Sequence, residues 1–521
     1  MNGIIEVIDK ANGILNDIVW GWPAIIMILF TGVLLTVRTK CLQVRKFGDA
    51  LDTTIVSTLR EAKKNKGKKR EKGKVSPFEA FAAAISGTVG TGNIIGVTSA
   101  ILTGGPGAVF WMWCSAFFGM VTNYAENVLG LYYRKYNEDG SFSGGPFYYI
   151  ANGVKWKWLA YVAAVFCMIA AIGMSGVQTN KISETIAMAC SNDGFVVKLV
   201  IGICVATITA VIIIGGINRI SKVASLLVPF MSVLFVLLAL IAIFMNITML
   251  PTAFAEIFTN AFTLKSAAGG IMGYGLHSVI RKGLARGVFS NEAGLGSSVI
   301  AHCSTDNREP VQQGLWGVFG VFFDSFIVCT LTALMVLTTF DLDALNIAFD
   351  ANGTALDAAT AMSAFTTNFG AFGSVVFAVI LPLFAFTTIM AWAYYGEKAT
   401  EFLFGKLKGK GTKIAVTVFK IIYILLIIFS SVVNSELAWS ISDTANGLMA
   451  LPNLLALIIL SGTVVKITKN YYDRKKGLDV KPMLSAYDDV NDKFIEYERV
   501  RRARETEDAG QTDPINTVDE E

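Results

Sequence analysis

The chain has 521 residues, 53% of them hydrophobic and only 16% charged, with a mean hydropathy of +0.55. Soluble domains carry about 25% charged residues. Here the apolar residues fall in runs of about 20, the length a helix needs to cross a bilayer. The short alternating segments of a membrane barrel are absent, so the composition predicts an all-α polytopic membrane protein. The net charge of +4 says little alone, and its placement says more.

Residues 3–17 read as weakly amphipathic. The apolar run from Val19 to Val37 is long enough to remain as a span, and no Ala-x-Ala cleavage pattern follows it. Spans are predicted at 19–37, 78–99, 107–133, 157–187, 196–215, 223–248, 267–284, 313–338, 371–395, 414–433 and 444–466, about eleven in all. The one at 267–284 is short, Gly-rich and ends in Arg281 and Lys282.

Lys and Arg set the expected orientation, because short cytoplasmic loops are enriched in them. The loop 38–77 holds Lys63, Lys64, Lys66, Lys68, Lys69, Arg70, Lys72 and Lys74. Without interleaved aromatics it suits a solvated cytoplasmic loop better than a nucleic-acid surface. Counting spans from there puts 134–156, 216–222, 285–312, 396–413 and the tail on the same side. Each carries bases, among them Arg134, Lys155, Arg286 and Arg308, whereas 341–370 carries four Asp and no base. The N-terminus is expected outside and the C-terminus in the cytoplasm. Part of 486–506 reads as a short amphipathic helix in an otherwise charged tail, and 505–521 as disordered.

Seven Cys form no CxxC or Cys/His cluster, and there are two His, so no metal centre or disulfide framework is expected.

The chemistry is concentrated in Ser86-Gly87-Thr88-Val89-Gly90-Thr91-Gly92-Asn93, in the middle of the second span. Each Gly costs a helix interior about 1 kcal/mol relative to Ala. Such a cluster loosens the helix at membrane depth, where freed backbone groups must line a cavity or bind something. Carbonyls suit a hard cation, and amides at a new helix start suit a carboxylate. Gly87-x-x-Gly90-x-Gly92 has a counterpart in Gly270-x-x-Gly273-x-Gly275 of the seventh span. Either cluster alone is equally a device for close helix packing. Together they point to an inverted-repeat transporter with a midplane site. Asp324, in Val321-Phe-Phe-Asp-Ser-Phe326, and Glu126, in Asn123-Tyr-Ala-Glu-Asn127, are acids at membrane depth, where charge is rare and functional. Asp324 can balance a bound cation or carry a proton. Glu126 is expected to pair with Arg134 or a loop base and to act in coupling or gating.

Several blocks resemble the alanine or glycine:cation symporter family, the sodium:alanine symporters. They are Gly87–Gly96 with Gly104-Gly-Pro-Gly-Ala-Val-Phe-Trp111; Ser143-Gly-Gly-Pro-Phe-Tyr-Tyr149; Arg286-Gly-Val-Phe-Ser-Asn-Glu-Ala-Gly-Leu-Gly-Ser297; and Trp439-Ser-Ile-Ser-Asp-Thr-Ala-Asn-Gly-Leu-Met-Ala450 with Pro452 and Asn453. The likeness runs from about 78 to 466, while the Lys-rich insert and the tail are less typical. It implies the leucine-transporter fold: a 5+5 inverted repeat preceded by one extra N-terminal helix. The expected organisation is then 1–37 as N-terminal helix and first span, 38–77 as the basic loop, 78–248 and 267–466 as the two repeats, and 467–521 as the tail.

The resemblance also implies site roles. Carbonyls of Ser86 and Val89 with the hydroxyls of Thr387 and Thr388 would ligate sodium. A second reading of that Thr pair is back-bonding within its own helix. Amides of Thr91 and Gly92 would hold the carboxylate of an amino acid. Carbonyls near Thr88 and Gly270 to Ile271 would hold its ammonium, with Gly269 and Gly273 also in the substrate site. Gln178 would reach the substrate or make an interhelical hydrogen bond, and Asn93 would cap the broken helix or ligate the cation.

The implied activity is symport of sodium with alanine or glycine by alternating access in the cell membrane. The rival is a proton-coupled or differently specific transporter of the same fold. No enzyme chemistry is expected, no cofactor beyond sodium, and no nucleic-acid partner. The lipid bilayer is the surroundings, and oligomeric state is not legible. There is no nucleotide-binding loop for ATP-driven transport, and no repeated filter or charged ring for a channel.

Overall fold

The structure is a computed structural model that describes residues 2–64, 75–137, 140–262, 276–346, 348, 356–407, 409–433 and 435–510. Helix α1 (Asn2–Val19) leads into the first span, α2 (Trp22–Arg38), and short helices follow within 42–64. The second span is in two pieces, α3 (Pro77–Thr88) and α4 (Gly92–Gly104), bent by 48°. Next come α5 (Gly107–Tyr132), a two-stranded hairpin of β1 (Lys135–Tyr136) and β2 (Phe142–Ser143), and the short α6 (Pro146–Tyr149). Helices α7 (Lys157–Ala189), α8 (Phe195–Ile213) and α9 (Gly216–Met245) complete the first half, and α10 (Leu250–Asn260) links it to the second.

The seventh span is described from residue 276, as α11 (Leu276–Asn291), a break, and α12 (Ser298–His302). Then follow α13 (Pro310–Thr339), α14 (Asp357–Phe369), α15 (Ala371–Phe404), α16 (Lys410–Ser430), α17 (Ser435–Lys475) and the tail helix α18 (Asp488–Gly510). Among the described residues, eight helices are long and apolar enough to span a bilayer, and the bent α3–α4 pair makes a ninth. The other two predicted spans are α5, made more polar by Asn123, Glu126 and Asn127, and the interrupted α11–α12.

Local signals start the helices that matter. Ser76 and Glu79 form a capping box ahead of α3, with Pro77 at its first position. Pro310 opens α13 in the same way. The long α7 packs against α15, α17 and α16, while α5 packs against α11 and α13. Outward-facing Phe195, Ile214, Leu226, Phe230, Phe372 and Ile414 are exposed, as expected of a surface solvated by lipid tails.

Two expectations need correction. The seventh span does not end at 284: α11 continues to Asn291, so Arg286 lies in a helix, not in a basic loop. Its charge is tolerated there because Asp443 of α17 pairs with it at 3.0 Å, and Arg281 pairs with Asp17 at 2.7 Å. The tail helix is also longer than the segment expected within 486–506.

Candidate transport site

The first break is built by side chains that take amides away from the helix. The last helical bond of α3 runs from the Val89 amide to the Ile85 carbonyl, at 2.8 Å. The Gly90 amide donates to Asn93 Oδ1 at 2.9 Å, and the Thr91 amide donates to Gln178 Oε1 at 3.1 Å. In a regular helix those two amides would serve the carbonyls of Ser86 and Gly87. The Ser86 carbonyl instead accepts the hydroxyl of Thr388, on α15, at 3.0 Å. A side chain at Gly90 would stand 2.4 Å from Thr388 Oγ1, so only Gly allows this approach. Thr91 Oγ1 is fully buried and has no hydrogen-bond partner among the described residues. Such a hydroxyl is unsatisfied until something binds.

Of the expected Thr pair, Thr388 both reaches Ser86 and back-bonds to the Phe384 carbonyl, at 3.1 Å. Thr387 points elsewhere, to the Phe384 carbonyl at 2.9 Å and Met231 Sδ at 3.8 Å. Gln178 makes the interhelical hydrogen bond, and so occupies one of the amides expected to hold a carboxylate. Gly92 is packed beneath the ring of Phe289, and Thr88 back-bonds to Ile85 at 3.1 Å. Val89 is buried at the end of α3.

Asp324 lies beside this break. Its Oδ1 accepts Asn93 Nδ2 at 2.6 Å, and its Oδ2 accepts the hydroxyls of Ser290 and Ser325, both at 2.9 Å. All these donors are neutral, and among the described residues no base pairs with this fully buried carboxylate. A carboxylate, an Asn and a Ser from three helices form a compact set of oxygen-bearing groups suited to a hard cation. On the side of the basic loops a cavity of about 20 Å³ opens, lined by Thr88, Asn123, Asn291, Ser298 and His302.

The second break falls at 292–297. Glu292, Gly294 and Gly296 have φ of 54°, 95° and 75°, which ends α11 and redirects the chain into α12. Glu292 Oε1 accepts Trp392 Nε1 at 2.9 Å and its Oε2 accepts Ser297 Oγ at 2.5 Å, so the break touches α15. Glu126 Oε1 accepts the amides of Gly294 and Gly296 at 2.9 and 3.0 Å, and Asn453 Nδ2 at 2.6 Å. The expected partnership of Glu126 with Arg134 is therefore wrong. Arg134 instead donates to the carbonyls of Cys303, Thr305 and Asn307 and lies 3.6 Å over Phe142. Gly269, Gly270, Ile271 and Gly273, expected in the binding site, lie outside the described residues.

Above Gly92, on the side of the acidic loop, Phe289 and Trp439 pack with their rings tilted by 42° and centroids 4.9 Å apart. Arg286 lies 4.6 Å over the Trp439 ring while paired with Asp443. The motif block holding Arg286 to Ser297 was visible in the sequence. The roles of Arg286, Ser290 and Glu292 were not, and neither were those of Tyr149, Asp443 and Asn453.

Two interrupted helices facing one another across a packed scaffold, with polar groups converging between them, define a polytopic secondary transporter. The chain matches the sodium:alanine symporter family over residues 5–484, and it belongs to that family. It is 38% identical to the sodium/alanine symporter AgcS of Methanococcus maripaludis, over 89% of this chain and 97% of that one. It is 35% identical to the probable sodium/glutamine symporter GlnT of Bacillus subtilis, over 91% of this chain and 92% of that one. Among solved structures it resembles MhsT in complex with L-phenylalanine, with a TM-score of 0.52 at 15% identity, covering 77% of this chain and 99% of that one. This last likeness bears on the fold alone.

Proposed function

We propose that the protein couples inward sodium flow to uptake of a small neutral amino acid, alanine or glycine, by alternating access. The observation that carries the reading is the Ser86 carbonyl turned out of its helix to meet Thr388. Carbonyl and hydroxyl there offer two oxygens to one cation, with the Val89 carbonyl close by in the chain. Asp324, Asn93 and Ser290 offer a second set of oxygens on the other side of the break. A bound cation there would neutralise a buried carboxylate whose donors among the described residues are all neutral. The substrate would lie between the two breaks, its carboxylate toward the start of α4 and the free Thr91 hydroxyl. Gly92 under Phe289 leaves little room for a large side chain, which favours alanine and glycine over glutamine.

The second reading is proton coupling through Asp324, favoured because among the described residues its carboxylate meets neutral donors and no base. Uptake of labelled alanine into proteoliposomes separates the two. A sodium gradient alone driving uptake supports the first reading. Uptake that follows a pH gradient and ignores sodium supports the second. No uptake of alanine or glycine under either gradient sinks the substrate assignment.

A further inference from the structure

Three sequence blocks far apart in the chain meet at one carboxylate. Glu126 Oε1, on α5, takes the amides of Gly294 and Gly296 in the second break and the side-chain amide of Asn453 on α17. Asn453 Nδ2 also donates to the Gly294 carbonyl at 2.8 Å, and its Oδ1 accepts the hydroxyl of Tyr149 on α6. A Cβ at Gly296 would stand 3.0 Å from both Asn453 and Pro146, so α6 also lies close against the break. The two Gly amides have left the helical ladder, and an amide without an acceptor is costly at membrane depth. A carboxylate is the one side chain that only accepts hydrogen bonds and can take several at once.

We infer that Glu126 is a positioning residue that moulds the second break, and that Asn453 and Tyr149 carry the position of the break to the loop helix α6 on the basic face. The inference rests on the transport reading above and concerns how the substrate-holding segment is kept in place. If Glu126 sets the break, perturbing it changes substrate affinity in a protein that still folds. Tyr149 belongs to the relay, so losing its hydroxyl alone has a smaller effect in the same direction.

The test is alanine KM, half-saturating sodium and thermal stability for Glu126→Gln, Glu126→Ala, Asn453→Ala and Tyr149→Phe in proteoliposomes. The expected result is a graded rise in alanine KM, largest for Glu126→Ala and smallest for Tyr149→Phe, with Glu126→Gln and Tyr149→Phe keeping the melting temperature of the parent. Unchanged KM in Glu126→Gln, Asn453→Ala and Tyr149→Phe overturns the inference, as does a loss of stability that tracks every loss of uptake. Should Glu126→Ala fail to insert, the Gln and Phe variants decide. Failure of the parent protein to take up alanine strikes the transport reading instead.

An independent observation concerns the tail. The family match ends at residue 484, yet the chain beyond it is docked on the basic face. The Ala486 amide donates to the Tyr132 carbonyl at 2.8 Å, at the end of α5. The Asn152 side chain donates to Tyr487 Oη at 2.8 Å, just before α7. Phe494 packs on Tyr136 and Phe142 of the hairpin. Arg308, between α12 and α13, lies 3.1 Å over the Tyr497 ring and 5.0 Å over Phe494. The tail thus ties the second break's continuation, the end of α5 and the approach to α7, which must shift relative to one another as access alternates.

The structure assigns residues 485–497 as a latch on the cytoplasmic side that slows opening there. Phe494→Ala with Tyr497→Ala in the full chain is expected to raise the maximal uptake rate several-fold. Tyr497→Ala alone, a half-exposed position that leaves the core intact, is expected to give part of that rise. An unchanged or lower rate in both variants overturns the latch.

Discussion

The hydroxyl of Thr388 donates to the carbonyl of Ser86 at 3.0 Å, joining α15 to the point where α3 stops bonding to itself. The carbonyl is open to this partner because the Gly90 amide, its helical donor, is held by Asn93. The proposed contact of a cation with the helix rests on this opened carbonyl. Thr388→Ala removes one oxygen and leaves the carbonyl in place. Loss of a hydrogen-bonding group to a charge is worth about 1.5–3 kcal/mol, so half-saturating sodium should rise about tenfold or more. Thr388→Ser should stay near the parent, and Thr387→Ala should shift far less, since Thr387 faces Met231. Sodium titration of alanine uptake checks all three. Equal shifts for Thr387→Ala and Thr388→Ala would remove Thr388 from its special place.

Asp324 tests which cation is coupled. Asp324→Asn keeps size and most hydrogen bonding but removes the negative charge beside the first break. Breaking a buried charge interaction costs about 2–5 kcal/mol, which is about thirtyfold or more in uptake at fixed sodium. Removing sodium from the parent should have a comparable effect. If Asp324→Asn keeps its sodium dependence and loses only a response to pH, the carboxylate carries a proton and not the sodium.

Gly90 and Gly32 separate function from packing. A Cβ at Gly90 meets Thr388 Oγ1 at 2.4 Å, and one at Gly32 meets Phe118 Cβ at 2.4 Å where α2 packs on α5. Overpacking costs about 1–3 kcal/mol in either place. Gly90→Ala should abolish uptake with a modest fall in melting temperature, because it pushes the hydroxyl off the break. Gly32→Ala should lower melting temperature and leave the alanine KM near the parent. Similar uptake in the two variants would mean that Gly90 is only a packing residue.

How far the site was legible depends on the range of the interactions. The spans follow from apolar runs, and the first break from Gly and Thr packed into one helix turn or two. Both are local signals. The second break is not local. Its glycines look no different from those of 270–275, and what holds it open is Glu126 and Asn453, more than 150 residues away on either side. Arg286 misled for the same reason: it reads as a loop base until Asp443, 157 residues further on, is known to face it. Glu126 reads as a partner of Arg134, two helical turns on, or of a loop base, but that guanidinium donates to loop carbonyls while the amides of the second break take the carboxylate.

The Arg286–Asp443 pair, 3.0 Å apart, closes over Phe289 and Trp439 on the acidic-loop side of Gly92. Both partners are mostly shielded, at 12% and 21% side-chain exposure, so the pair is screened less than a surface bridge. Arg286 belongs to the interrupted seventh span and Asp443 to α17, so opening toward that side must part them or move them together. If the pair is a gate, Asp443→Asn leaves the lid loose and lets alanine escape outward, raising KM about tenfold at little change in maximal rate. Arg286→Lys keeps the charge but loses the flat stacking on Trp439. It should fall between the parent and Asp443→Asn. Trp439→Ala removes the lid itself and should raise KM further. Kinetics of labelled alanine uptake at saturating sodium give all three values. A fall in maximal rate with KM unchanged would place the pair in the slow conformational step rather than over the bound substrate.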